Sequence, residues 1–103
     1  MSKQKKLVRE RFRDAVFKRD NHKCRVCFEK NSKLDAHHIT DRNEMPNGGY
    51  CKENGISLCE SCHEKAEQFH STGVHVEGFH PNDLYTLIAS SLELARKASE
   101  RLG

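Results

Sequence analysis

The chain has 103 residues, of which 35% are hydrophobic and 32% charged, and it contains no tryptophan. A chain of this length builds one small domain with a thin core, and such domains commonly need a metal ion or disulfides for stability. No apolar run approaches the length of a signal-peptide core or a membrane span, so we expect an intracellular, cytoplasmic protein with no membrane partner.

The net charge of +3 is unevenly distributed along the chain. Residues 1–25 contain ten Lys and Arg and three acids, a net charge of +7, and the remaining residues sum to −4. A basic segment of this kind favours a polyanionic partner such as DNA. A solvated helix face would give the same charge pattern, so charge alone leaves both interpretations open.

The first predicted element is a basic helix within residues 1–20. A helical period runs from Lys5 to Arg19, and the segment Asp20–His22 ends it with turn-forming residues. Its predicted apolar stripe consists of Leu7, Val8, Phe12, Ala15 and Val16.

A small α+β core is predicted next, within residues 21–70. Leu34–Ile39 has the composition of a short strand, and Gly55–Leu58 is its natural hairpin partner. The segment between them is rich in Pro, Asn and Gly, which predicts a loop. Helix-forming residues follow from Glu60 to Phe69, with acids in the first turns, where the helix dipole favours them.

Residues 71–103 are predicted to hold a connector and one long amphipathic helix, from Pro81 to about Leu102. Its apolar stripe consists of Leu84, Leu87, Ile88, Leu94, Ala95, Ala98 and Leu102. We expect the stripe to pack on its own domain, and a homodimer seam along this helix is the alternative. Three histidines, His70, His75 and His80, are interpreted as incidental, although a role as accessory ligands is the alternative.

Four of the five cysteines form two Cys-x-x-Cys pairs, Cys24–Cys27 and Cys59–Cys62. Two such pairs supply four thiolates to one tetrahedral zinc ion, and a four-thiolate site has no open position for chemistry. The spacing therefore predicts one structural zinc. It disfavours a redox or metal-storage role for these thiols. The fifth cysteine, Cys51, is interpreted as a partly buried thiol.

The segment between the cysteine pairs and the residues just after the second pair carry groups suited to a second metal ion. His37 and His38 are adjacent on the first predicted strand, and His63 directly follows Cys62. Glu67 lies one helical turn after His63, so both side chains can reach the same place. Imidazole and carboxylate groups suit a divalent cation. Each of these residues alone could be incidental, but together they predict a site.

These residues resemble a known family. The segments Cys24-x-x-Cys27, Asp35-Ala36-His37-His38-Ile39 and Asn54-Gly55-Ile56-Ser57-Leu58-Cys59-x-x-Cys62-His63 are similar to the HNH endonucleases of the ββα-metal fold, in their zinc-knuckle version. The resemblance covers about residues 19 to 70, including Arg19-Asp20. It implies a small ββα-metal domain flanked by the basic N-terminal helix and the long C-terminal helix.

The resemblance also implies a role for each matching residue. His38 falls at the position of the general base, and Asn54 at the residue that fastens the loop and helps to orient that base. His37 and His63 fall at metal-ligand positions. Glu67 falls where some members have a further metal-site residue, usually histidine, so this chain departs from the family there.

The resemblance therefore implies a metal-dependent endonuclease that hydrolyses DNA, with a divalent cation such as Mg²⁺ or Mn²⁺ beside the structural zinc. The basic helix is expected to contact the phosphate backbone through Lys5, Lys6, Arg9 and Arg13, which would position the DNA without specifying sequence. A non-catalytic zinc module that binds nucleic acid is the alternative. One geometric requirement is open: neighbouring strand residues point to opposite faces, so His37 and His38 share a site only where the strand ends or bends.

Overall fold

Two helices enclose a two-stranded sheet. The computed structural model describes residues 3–30 and 33–102, with side chains from Lys6 onward. Its helices and strands are α1 (Lys3–Arg19), β1 (Leu34–His38), β2 (Gly55–Cys59), α2 (Glu60–Thr72), α3 (Pro81–Leu87) and α4 (Leu92–Glu100). Short 3₁₀ turns occupy the segment between the strands. The mixed α+β class and the predicted hairpin are confirmed. None of the helices in the described part of the chain is long and apolar enough to cross a membrane.

The two strands pair antiparallel in a register that runs from Leu34 opposite Cys59 to His38 opposite Gly55. Every residue of β2 is buried, because α1 covers one face of the sheet and α2 covers the other. Gly55 permits the close approach of α1: a Cβ atom there would lie 2.5 Å from Val16 Cγ2 and 2.7 Å from the Phe12 ring.

The apolar stripe of α1 is narrower than predicted. Phe12 and Val16 are buried, whereas Leu7 and Val8 are 44% and 40% exposed, and Ala15 is exposed as well. The helix has 17 residues and is about 26 Å long at the standard rise, whereas the five-residue strands beneath it extend about 17 Å. Only part of the stripe can therefore lie on the sheet.

The end of α1 is fastened to β2 by Arg19 and Asp20. Arg19 Nε and Nη2 donate to the two carboxylate oxygens of Asp20 at 2.8 and 2.9 Å, and Nη2 also donates to the Gly55 carbonyl at 2.6 Å. The buried Asp20 carboxylate accepts from the backbone N–H of Ser57 at 2.9 Å. These bonds fix the basic helix relative to the strand that leads into the second cysteine pair.

The prediction of one long C-terminal helix is wrong, because the structure has two helices there, α3 and α4. The break lies at residues 88–91, where Ala89 has a φ of 54° and Ser91 caps α4 by accepting a hydrogen bond from Leu94 N. The single stripe is lost as well. Leu84, Ala95 and Ala98 are buried. Three leucines of the predicted stripe are substantially exposed: Leu87, Leu94 and Leu102.

The division lets each helix contact a different part of the loop between the strands. Tyr85 of α3 donates to Asn54 Oδ1 at 2.7 Å, and Ser99 of α4 accepts from Gly49 N at 3.0 Å. Asn47 donates in turn to the Ser99 carbonyl at 3.1 Å. A straight helix would contact one side of this loop only. The turn between α3 and α4 therefore allows both sets of contacts with the loop to form.

Candidate functional site

The four predicted zinc ligands come together at one end of the hairpin. Their sulfur atoms, from Cys24, Cys27, Cys59 and Cys62, all lie within 4.8 Å of one another. The Cys27 and Cys59 sulfurs are 3.6 Å apart. Sulfurs bound to one zinc at about 2.3 Å in a tetrahedron lie about 3.8 Å apart. The geometry and the donor set therefore fit one structural zinc ion.

The thiols of this cluster influence one another strongly. Burial would raise the pKa of Cys59, but hydrogen bonds from Cys62 N–H, from the Ser61 hydroxyl and from neighbouring thiols lower it to about 6. Burial raises the pKa of Cys62, and the adjacent Cys59 and Cys24 raise it further. Crowding several thiolates is unfavourable unless a cation balances their charge, and zinc supplies that charge.

His37 and His38 point to opposite faces of β1, as strand geometry requires. His37 is 2% exposed and faces α2, where its ring centroid lies 5.1 Å from that of His63 and 5.2 Å from that of His70. His38 faces α1, and its ring stacks on Phe12 with centroids 4.5 Å apart. β1 ends at His38, so the two side chains can border one site at this end of the strand although the strand does not bend.

A second cluster of ligand groups lies between β1 and α2. His37, Glu67 and His70 each offer a ligand atom within 4.8 Å of the others. His37 Nδ1 is buried 3.3 Å from Glu67 Oε1 but has no aligned hydrogen-bond partner among the described residues. An unpartnered buried imidazole nitrogen beside a carboxylate, with a second imidazole next to it, is a donor set that fits a divalent cation.

The electrostatics of this cluster keep Glu67 ionised. Its contact with His37 lowers the pKa of Glu67 to about 2, against the opposing effect of partial burial. Burial lowers the pKa of His37, although Glu67 opposes that shift. An ionised carboxylate beside a neutral imidazole is the protonation state that metal binding requires.

His63 lies at the edge of this cluster, held between two carboxylates. Its Nδ1 is 3.2 Å from Asp35 Oδ2, and its Nε2 is 3.2 Å from Glu67 Oε1. Asp35 is two residues before His37 on the same face of β1. Metal-binding histidines commonly donate one ring N–H to a carboxylate, which fixes the tautomer and the ring orientation. Asp35 is placed to do this for His63, so that Nε2 faces Glu67.

His70 was interpreted as incidental, but it lies in the cluster. It is seven residues after His63 on α2, two helical turns, so both reach the same side of the helix. His70 Nε2 is 3.0 Å from the His38 carbonyl oxygen. If Nε2 donates there, Nδ1 keeps a lone pair for a cation. The i, i+7 spacing was visible in the sequence, but the carbonyl contact was not. His75 and His80 lie outside the cluster, with their rings against each other.

His38 is enclosed by aromatic rings. Phe12 stacks on it, and Tyr50 meets it edge-on with centroids 4.7 Å apart. Burial lowers the pKa of His38 to about 4, with a further contribution from His37 and Arg42, so the imidazole is neutral at pH 7. Its Nε2 is buried and has no hydrogen-bond partner among the described residues.

Asn54 fastens the loop that follows His38. Its side chain is fully buried and makes four hydrogen bonds. Oδ1 accepts from Thr40 N at 3.0 Å and from the Tyr85 hydroxyl at 2.7 Å. Nδ2 donates to the Thr40 and Gly49 carbonyls at 3.0 and 3.3 Å. Asn54 is thus a positioning residue, since its polar atoms are all engaged within the protein. The contribution of Tyr85, 31 residues away, had no signal in the sequence.

Two cavities meet at His38. The smaller, of about 270 Å³, is lined by Glu67 and His70 of the second cluster and by Asp41 and Arg42. The larger, of about 720 Å³, lies between α1 and β1 and contains three of the four predicted backbone-contacting residues: Lys6, Arg9 and Arg13. The fourth, Lys5, has its side chain outside the described residues. His38 and Tyr50 are the side chains that line both cavities.

The remaining cysteine, Cys51, belongs to neither cluster. Its thiol is buried, and Sγ lies 3.6 Å from the Ala95 carbonyl oxygen on α4. Burial raises its pKa, as does the nearby charge of Glu53, so it stays protonated. Cys51 was interpreted as a partly buried thiol, and the structure places it deeper, among the buried residues.

Two comparisons with known proteins give a match to part of the chain. The HNH endonuclease family model matches residues 24–69. Anaredoxin of Nostoc sp. (strain PCC 7120 / SAG 25.82 / UTEX 2576) is 39% identical over 46 residues, which are 45% of this chain and 58% of that protein. The chain thus spans less than two thirds of that relative's length. No solved structure matches the chain significantly. The matched segment begins at the first zinc-ligand cysteine and ends at Phe69, so it contains both cysteine pairs, His37, His38, Asn54, His63 and Glu67. Residues 24–69 therefore match the HNH endonuclease family model, and the four-cysteine cluster within them suits zinc.

Proposed function

We propose that the protein is a metal-dependent endonuclease that hydrolyses phosphodiester bonds in DNA. The observation that carries the proposal is the position of His38 between two cavities. One cavity holds the carboxylate and imidazole groups of a divalent-cation site. The other is bordered by basic side chains of α1. A phosphodiester that spans both would lie against a neutral imidazole, and this is the arrangement that general-base hydrolysis needs.

His38 acts as the general base in this proposal. Its imidazole takes a proton from a water molecule as the water oxygen forms a bond to phosphorus. The bond between phosphorus and the 3′ oxygen then breaks, and the departing oxygen takes up a proton from solvent. The products are a 5′ phosphate and a 3′ hydroxyl. Asn54 contributes by holding the backbone at Thr40, two residues after the base.

The divalent cation would be held by His37, Glu67 and His70, with His63 at the edge of the same cluster. When bound, it would neutralise negative charge that develops on the phosphate and on the 3′ oxygen. His37 is oriented by its burial, whereas His63 is oriented by Asp35. The chain replaces the usual family histidine by Glu67, and the nearby His70 offers an imidazole in compensation.

The alternative is a non-catalytic zinc module that binds nucleic acid on the same scaffold. One observation favours it: the His38 ring is enclosed by Phe12 and Tyr50, and its pKa of about 4 makes it a weak base. A general base is most effective when its pKa lies near the working pH.

The test is nicking of supercoiled plasmid by the zinc-loaded protein with added Mg²⁺ or Mn²⁺. Wild-type protein is expected to cut, and His38→Ala to lose activity by about 10²- to 10⁴-fold. Zinc content and far-ultraviolet circular dichroism should remain those of the wild type. His75→Ala is the matched control, because this exposed histidine lies outside both cavities. If wild-type protein bound DNA but cut neither DNA nor RNA with any divalent ion, the binding module would replace the nuclease.

The oligomeric state bears on the product, since one active site cuts one strand. A homodimer through α4 would have two exposed leucines of that helix available, Leu92 and Leu94, and the exposed Leu102 just after it. A dimer is expected to yield double-strand breaks and a monomer to yield nicks. Light scattering at the concentration of the cleavage assay separates the two cases.

A further inference from the structure

We propose that Arg9, Arg42 and Tyr50 form a phosphate-binding site that holds a phosphodiester of the nucleic acid beside His38. The proposal takes the class of ligand from the proposed function. It assigns the side chains that hold the phosphate at the base. Two of the three residues, Arg42 and Tyr50, carry no feature in the sequence that marks them as binding residues.

The three side chains converge from different parts of the fold. Arg9 lies on α1, Arg42 in the turn that follows β1, and Tyr50 in the loop before β2. Arg42 Nη1 donates to the Tyr50 hydroxyl oxygen at 3.4 Å, and the Arg9 guanidinium interacts with the same hydroxyl. Tyr50 borders both cavities, the larger one together with Arg9 and the smaller one together with Arg42.

The Tyr50 ring is fixed by its neighbours. It meets Phe12 edge-on at a centroid distance of 5.7 Å and His38 edge-on at 4.7 Å. The hydroxyl therefore has a defined position relative to the proposed base. A tyrosine hydroxyl that accepts from an arginine still has its own proton to donate, and a phosphate oxygen is a suitable acceptor.

The local charge favours an anion. Among the described residues, no carboxylate lies within 4 Å of the Arg9 or Arg42 guanidinium, although Asp41 and Glu10 line the two cavities. Burial would raise the pKa of Tyr50, but the guanidinium groups of Arg42 and Arg9 lower it. A positive potential at the hydroxyl is the cause. Two guanidinium forks around one hydroxyl match the oxygens of a phosphodiester.

The experiment measures DNA binding by fluorescence anisotropy without added divalent ion, so that cleavage does not interfere. Arg42→Gln is expected to weaken binding by about fivefold, equally for different sequences, and to lower the slope of log affinity against log salt by about one. Tyr50→Phe is expected to weaken binding by about threefold with an unchanged slope, because no charge is lost. Arg11→Gln is the matched control. It makes the same chemical change on α1, but Arg11 is exposed and lines neither cavity.

The outcomes separate this proposal from the nuclease proposal. If Arg42→Gln and Arg11→Gln weaken binding equally, or if wild-type protein does not bind DNA, the phosphate site is wrong. If wild-type protein cuts plasmid and Arg42→Gln leaves KM and the salt slope unchanged, the nuclease stands and the phosphate site fails. If wild-type protein binds without cutting and the Arg42 effect persists, the phosphate site stands and the nuclease fails. Circular dichroism confirms that each variant is folded.

Discussion

The two clusters of metal-ligating side chains differ in how they are built. The cysteine cluster uses four identical donors from two tight turns, and three of the four residues are buried. The second cluster mixes imidazole and carboxylate donors from β1 and α2, and its members range from the buried His37 to the exposed Glu67. Four thiolates complete the coordination of a zinc ion, whereas a mixed set open to a cavity leaves room for substrate.

The difference separates the cluster that we expect to stabilise the fold from the cluster to which we assign the proposed chemistry. The cysteine cluster closes the start and end of the hairpin, because Cys59 is the last residue of β2 and Cys62 lies in the first turn of α2. The second cluster depends on that closure, since His63 directly follows Cys62. Loss of the cysteine cluster should therefore abolish both the fold and the proposed cation site. Loss of the second cluster should leave the fold intact.

The largest effect is expected from Cys62→Ala. Structural zinc in small domains contributes an apparent binding free energy of about 10–16 kcal/mol, more than a domain of this size can lose. We expect loss of bound zinc and of cooperative thermal unfolding, measured by metal analysis and circular dichroism. Cys51→Ala is the control, and it should keep one zinc per chain. A Cys62→Ala protein that stayed folded without zinc would contradict the assignment of this cluster as structural.

Glu67→Gln should have the opposite effect to Cys62→Ala, with a loss of activity and an unchanged fold. We expect cleavage to fall on the order of 10²-fold, because the ionised carboxylate of the cation site is lost. The melting temperature and zinc content should change little, since the Glu67 side chain is 51% exposed. Glu64→Gln makes the same change one turn earlier on α2, at an exposed position outside the cluster, and should retain activity. Equal activity in the two variants would remove Glu67 from the cation site.

Asn54→Ala should test how much the loop between the strands contributes to the stability of the fold that holds both clusters. The change removes the four hydrogen bonds of a buried side chain. Thr40 N–H loses its acceptor, and the Tyr85 hydroxyl keeps only its contact with the Thr40 hydroxyl. We expect the free energy of unfolding to fall by about 3 kcal/mol. Urea denaturation of the zinc-loaded protein measures it. Asn43→Ala, at an exposed position of the same loop, should change stability by about 0.5 kcal/mol or less. A small effect at Asn54 would mean that α3 and α4 hold the loop without it.

The smallest effect is expected from Asp35→Asn. The amide oxygen can still accept from His63 Nδ1, but the charge that favours this tautomer is lost. We expect cation affinity at the second cluster to fall by about tenfold, measured by calorimetric titration with Mn²⁺. Zinc content should not change, and Asp14→Asn on the exposed face of α1 should have no effect. An unchanged Mn²⁺ affinity would show that Asp35 does not orient His63.

Much of the core could be predicted from the sequence because its signals are local. The hairpin arms, the start of α2 at Glu60 and the cysteine pairs depend on residues a few positions apart. The prediction of one long C-terminal helix was wrong because an amphipathic pattern of residues can continue across a break between two helices. Ser91 at a cap position and Ala89 at positive φ end that period, and only contacts with the loop make this arrangement favourable.

The site shows the same division. The sequence by itself predicted that the four cysteines come together and that His37, Glu67 and His63 lie near one another, because spacing and residue chemistry select these groups. The tertiary structure decided which way each histidine points, because strand alternation sends His37 to α2 and His38 to α1. It also brought in His70 and the Arg9–Arg42–Tyr50 group. Arg9, Arg42 and Tyr50 come from three separate segments of the chain, and no local pattern records a contact that exists only once α1 lies on the sheet.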